Sequence, residues 1–292
     1  EILIGLVGSE MCIRDSQYYL LEETCPDKVI IATSAADILR AKAEGKLAVI
    51  MSTQGAFCFE QDLRYISLLN RLGLKIVQLT YNQQSFIGSG AFVSDDTGLS
   101  RFGEQCIYEM NRVGMLIDLS HAGRKTSLDA IAVSADPVIF SHSSCYDVAK
   151  HTRNANDEQI KALAAKGGVI GLCPHSVMCN EDQSSWPTVD RFIDHIEHVA
   201  DLVGIDHVGI GTDRWKRPTL DYLMGRVEFE RTCPHWFGKF SGYQKHVQGF
   251  NYFDEWDNLV DHMLARGFGE EDIKKVLGGN LLRVFRKVWD KE

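Results

Sequence analysis

The chain has no CxxC pair, no basic run interleaved with aromatics, no GxGxxG fingerprint and no long apolar stretch. Each absence removes a class of function. Without CxxC, the eight cysteines (Cys12, Cys25, Cys58, Cys106, Cys145, Cys173, Cys179 and Cys233) form neither a zinc ribbon nor a thioredoxin-like pair. Scattered over 292 residues, they read as buried apolar side chains and favour a reducing, cytoplasmic setting. Without a basic patch, and with a net charge of −9, neither nucleic acid nor an anionic membrane surface is an expected partner. No run approaches the ~18 apolar residues that cross a bilayer, so no membrane segment is expected. The lone GSG at 88–90 is too little to hold a dinucleotide.

The first sixteen residues, EILIGLVGSEMCIRDS, share nothing with the pattern that follows. Their apolar run is too short for a signal peptide and follows an acidic residue. They read as a non-native leader, which leaves one domain over 17–292.

What is present is a regular alternation. Ser34 with Asp37 predicts a capping box opening a helix that ends at Gly45. LAVIM (47–51) reads as one buried strand followed by a helix over 60–72. KIVQLT (75–80), MLIDL (115–119), PVIF (137–140), GVIGL (168–172) and HVGIG (207–211) are further strands. Helices are expected near 101–113, 124–133, 157–165, 188–203 and 254–266. That makes six β/α units with two short helices after them. Continuously apolar strands are covered on both faces, so the sheet is expected to be parallel. A doubly wound sheet and a (β/α)8 barrel both fit, and the missing fingerprint favours the barrel.

A barrel puts its active residues just beyond strand C-termini. Gln54, Tyr81, His121, His142, His175 and Asp213 each follow one of the six strands. His121 and His142, in matching positions after neighbouring strands, could offer nitrogen to one metal ion; the competing reading is two hydrogen-bonded strand-end histidines. Asp213, in GIGTD, could be a metal ligand, a proton-transfer group or a helix cap. Arg153, in HTRN, suits a substrate carboxylate through its planar fork, or is an exposed arginine without a partner. His195 and His198 are expected at the surface of an outer helix, and Asp95–Asp96 on a solvated turn. The stretch 214–252, rich in aromatics such as Trp215, Trp236 and Phe250, reads as a pocket wall or subunit contact.

These words in order, GLSRFG (98–103), EMNRVGMLIDLSH (109–121), PVIFSHSS (137–144), RN (153–154), HVGIGTD (207–213) and KVLGGNLLRVF (275–285), resemble the membrane (renal) dipeptidase family of zinc peptidases, in a bacterial-type branch. The resemblance implies a (β/α)8 metal-dependent hydrolase with one or two zinc ions, cleaving dipeptides or similar small carboxylate-bearing amides, with a homodimer as partner state. By resemblance His121 and His142 are zinc ligands and Asp213 handles the proton. Arg153 and Asn154 bind substrate, and Tyr81 stands where a substrate-binding histidine is usual. Two features depart from the family pattern. No HxD triplet, the source of two ligands on the first strand, occurs in the chain, which reads as a barrel lacking its first strand or strands. Gln54 stands where a metal-bridging glutamate is usual, and a neutral amide cannot hold two cations together. A mononuclear hydrolase of another amide or lactone, or a barrel that binds a small ligand without cleaving it, are the alternatives.

Overall fold

In a computed structural model that describes residues 18–180, 185–214 and 245–290, strands alternate with helices in the expected order. The expected leader, residues 1–16, and most of the aromatic-rich stretch lie outside the described residues. The chain divides into two units, Glu1–Ile139 with Ala165–Gly168 and Leu281–Glu292, and Phe140–Ala164 with Val169–Asn280.

In the first unit Ser34 accepts from Asp37 N while the Asp37 carboxylate returns to the Ser34 backbone, so the capping box forms and opens the helix Ala35–Ala43. That helix joins β1 (Val29–Ile31) to its parallel neighbour β2 (Leu47–Val49). β3 (Met51–Thr53), β4 (Leu74–Gln78) and β5 (Leu116–Asp118) are parallel in that order, and Asp118 pairs with Ile139, the first residue of β6 (Ile139–Ser143). Helices Arg64–Arg71, Arg101–Val113 and Arg124–Val133 accompany these strands. Leu74, Val77, Leu116 and Ile117 are buried between the layers, as continuously apolar strands require.

LAVIM is not one strand. Its pairing changes at Ile50: Leu47–Val49 bonds to β1, whereas Met51–Thr53 bonds to β4. Leu47 is 65% exposed, so the run is apolar without being wholly buried. Hydrophobicity marks a strand, but the choice of partner is made by hydrogen bonds that leave no trace in composition.

Asp96 is also not the solvated turn residue expected. Gly123, ahead of helix Arg124–Val133, has no side chain to cap it. Asp96 caps it from a distant loop: Oδ2 accepts from Lys125 N at 2.6 Å and Thr126 N at 3.3 Å, and Oδ1 accepts from Thr126 Oγ1 at 2.9 Å. Asp96→Ala is expected to lower stability by about 0.5–2 kcal/mol, the range for a lost N-cap, as read from the urea midpoint.

In the second unit β6 continues to Ser143, whose carbonyl accepts from Cys173 N just beyond β7 (Val169–Leu172). β7 pairs in parallel with β8 (Val208–Ile210). The helix Val189–Val203 buries Val189, Phe192, Ile193, Ile196 and Val199, and with them His195, which is fully buried. The surface expectation fails for His195 because it lies on the same helical face as this apolar stripe. His198 stays half-exposed and meets Asp157 at 2.7 Å. Among the described residues no helix is long and apolar enough to cross a membrane. The six described cysteines are free, and five of them are buried.

Candidate functional site

The strand ends of the first unit carry Gln54, Tyr81 and His121. Gln54, beyond β3, is exposed. His121, in the tight turn after β5, has φ +65°, a left-handed conformation uncommon for a residue with a side chain. Its peptide is pinned there by Ala91 N, which donates to its carbonyl at 2.7 Å. Its Nδ1 lies 2.6 Å from Asn82 Oδ1. An amide oxygen only accepts, so Nδ1 carries a proton, and in the neutral tautomer this leaves the ring lone pair on Nε2. Tyr81 stacks on the imidazole at 4.3 Å between centroids with 20° between planes. An oriented histidine of this kind is what a metal ligand requires, since ligating imidazoles donate their second N–H to a fixed acceptor. Sequence reasoning picked out His121 and Tyr81 but not Asn82, the group that sets the tautomer.

The second unit holds His142, Arg153, Asn154, His175 and Asp213 at or beyond its strand ends. His142 Nδ1 lies 2.8 Å from Ser141 Oγ. Its carbonyl accepts from Arg153 Nη2 at 3.2 Å, which fixes the buried guanidinium beside β6. His151 Nδ1 accepts from Arg153 N at 3.2 Å, and burial together with the Arg153 charge pushes its pKa down to about 4. Asn154 donates from Nδ2 to the carbonyls of Ala149 at 2.8 Å and Met178 at 2.9 Å. Its buried Oδ1 has no hydrogen-bond partner among the described residues, so its carbonyl is the part with capacity to spare. His175, beyond β7, takes the N-cap position of a short turn and accepts from Val177 N at 3.4 Å.

Asp213, beyond β8, is a second left-handed residue, with φ +45°. Lys245 Nζ lies 3.2 Å from its Oδ2 and donates to its carbonyl at 2.6 Å. His246, 2% exposed, has Nε2 2.7 Å from the Thr212 carbonyl. Burial, then the nearby Lys245 and Arg214 charges, push its pKa down to about 3. Its ring stands 5.9 Å from that of His175. Sequence reasoning missed Lys245 and His246, because they follow the long segment after β8 and sit in no strand-end motif.

Among the described residues the donors do not fit a two-metal centre. Among the described residues no three His, Cys, Asp or Glu side chains converge as a metal cage. The sequence has no HxD triplet, and the exposed amide of Gln54 brings no charge.

Comparison with known proteins gives these strand ends a context. The family model described as Membrane dipeptidase (Peptidase family M19) matches residues 15–216 and 237–291. Dipeptidase tcpJ of Claviceps purpurea is 32% identical over 270 residues, 92% of this chain and 57% of that protein. The chain thus spans a little over half the length of that relative. A crystal structure of an amidohydrolase from Pseudomonas aeruginosa superposes with TM-score 0.83 at 35% identity, over 95% of this chain and 84% of that one. A metallo peptidase from Rhodobacter sphaeroides, solved with a phosphinate mimic of the dipeptide L-Ala-D-Ala, shares the fold at TM-score 0.79 and 24% identity, over 94% of this chain and 73% of that one.

Proposed function

The chain belongs to the membrane dipeptidase family, and from that premise we propose that its protein hydrolyses the amide bond of dipeptides or similar small carboxylate-bearing substrates. The family implies a metal ion, and we assign zinc, with His121 and His142 each as a ligand and Gln54 replacing the usual bridging carboxylate. When bound, the metal would polarise the scissile carbonyl and lower the pKa of water. Arg153 holds the substrate carboxylate through its guanidinium, Asn154 accepts from the substrate through Oδ1, and Tyr81 is assigned to substrate binding. Asp213 takes a proton from the attacking water at a carboxylate oxygen and returns it to the leaving amine. The observation that carries the reading is the oriented His121, held by Asn82 and Tyr81 in the DLSH turn of a family member.

Binding tests the reading without turnover. A free dipeptide is expected to bind roughly 10- to 100-fold more tightly than the same dipeptide with its carboxylate amidated, because a charge-assisted pair is worth about 1.5–3 kcal/mol. Arg153→Met should erase that difference in a calorimetric titration. Equal affinity for acid and amide in the wild-type chain would rule out carboxylate recognition by Arg153. Zinc content is expected to fall well below one ion per chain, with little dipeptide turnover, since two family ligands are not in this sequence. Full occupancy with sustained turnover would overturn that expectation.

The second reading, a site that binds a dipeptide-like ligand without cleaving it, is favoured by the exposed Gln54 and by the lack of a three-donor group among the described residues. Zinc titration separates the two. Under the hydrolase reading His121→Ala weakens zinc binding; under the binding reading it leaves zinc unchanged.

A further inference from the structure

We propose that Lys245 is the positioning residue for Asp213, fixing the carboxylate that moves the proton; this rests on the reading of Asp213 given above. A residue with a Cβ at φ +45° sits in a region that costs about 1–2 kcal/mol, and such a conformation persists where its surroundings over-determine it. Here the Lys245 ammonium bridges two atoms of one residue, the Asp213 carbonyl at 2.6 Å and Oδ2 at 3.2 Å. One contact holds the peptide and the other the side chain, so together they restrict both ψ and χ1 of Asp213.

The cation itself is held. Its side chain is 9% exposed against 25% for Asp213, and a buried ammonium is tolerated where acceptors meet it. Its backbone is held too: the Lys245 carbonyl accepts from Ser176 N at 2.8 Å, Val247 N donates to the Pro174 carbonyl at 2.9 Å, and Gln248 N donates to the Pro187 carbonyl at 2.8 Å. The neighbours of Asp213 are braced too. His246 Nε2 reaches the Thr212 carbonyl at 2.7 Å, and Arg214 donates to the carbonyls of Tyr252 and Phe250, each at 2.6 Å. Residues 212–214 are therefore each cross-linked by a side chain to segment 245–252. A lysine whose task was to meet substrate would direct its charge to the ligand; this one spends two hydrogen bonds on a single aspartate.

The test uses the 292-residue chain with Lys245→Met, Lys245→Arg and, should the methionine variant not fold, Lys245→Gln. The first readout is the Asp213 Cα and Cβ chemical shifts, which report backbone conformation without turnover. Lys245→Met is expected to lose the left-handed signature and Lys245→Arg to keep it. The second is the residual hydrolysis of L-Ala-D-Ala that zinc in excess supports: its kcat should drop roughly a hundredfold, the scale of a misplaced catalytic group, with KM within about twofold, and the arginine variant should recover most of it. Unchanged Asp213 shifts in Lys245→Met, or an unchanged kcat, would overturn the proposal. Absence of wild-type turnover counts against hydrolysis by this chain, while the chemical shifts still decide whether Lys245 holds Asp213.

Discussion

Gly211→Ala is expected to destabilise the protein by at least about 3 kcal/mol, at the upper end for a single methyl, and to leave much of the second unit unable to pack. The cause is steric and lies between strands. A Cβ on Gly211, just past β8, would fall 1.7 Å from the Ser141 carbonyl oxygen on β6 and 3.0 Å from that of Gly171 on β7. A Cβ on Gly171 would itself fall 2.3 Å from the Ser141 oxygen. Both obstacles are backbone, so no rotamer change relieves the overlap and the strands would have to separate. The substitution therefore acts on function through the fold: His142, His175 and Asp213 all hang from the ends of these strands. Gly269→Ala, where no atom lies within 4 Å of the added carbon, is the matched control and should cost under about 1 kcal/mol. Urea denaturation of the two variants checks the contrast. A Gly211→Ala protein as stable as its control would mean that β6 and β8 do not approach as closely as described.

Features set by local chemistry were legible in the sequence. The Ser34–Asp37 box formed, and helices Arg101–Val113 and Arg124–Val133 have the bounds expected from their periodicity. The strand-end residues were legible for the same reason, since an apolar run followed by a polar group is a local pattern. What failed depended on partners distant in the chain. Asp96 looked like a turn because the helix it caps begins nearly thirty residues later, at Arg124. LAVIM looked like one strand because β1 and β4, which divide it, lie on either side of it in sequence. Asn82 and Lys245 went unnoticed because their importance consists in the atoms they face, the His121 imidazole and the Asp213 carboxylate. An outer helix still buries one face, and His195 belongs to that apolar stripe while His198 does not.

That buried imidazole gives the second large expected effect: stability should fall steeply as the pH drops below about 6.5. His195 is fully buried, and its Nδ1 accepts from Cys145 N at 3.0 Å. The proton of the neutral ring is thus on Nε2, which has no hydrogen-bond partner among the described residues. Burial, reinforced by the Arg191 charge, pushes its pKa down from 6.5 to about 3. Protonation would put a second donor on Nδ1, facing the Cys145 N–H. In the unfolded chain the ring regains its ordinary pKa, so between about 6.5 and 3 the unfolded state binds a proton that the folded state refuses. The contribution is complete above the upper value and is lost as pH falls towards the lower one, at up to about 1.4 kcal/mol per pH unit for each such histidine. His246, pushed down to about 3 by its own burial, and His151, pushed down to about 4, add slopes over the same window. His195→Asn keeps an acceptor for Cys145 N and cannot take up the proton. Its protein should be somewhat less stable than wild type at pH 8, yet lose stability on acidification at roughly two thirds of the wild-type slope. Parallel curves of unfolding free energy against pH for the two proteins would show that His195 is not the group that titrates.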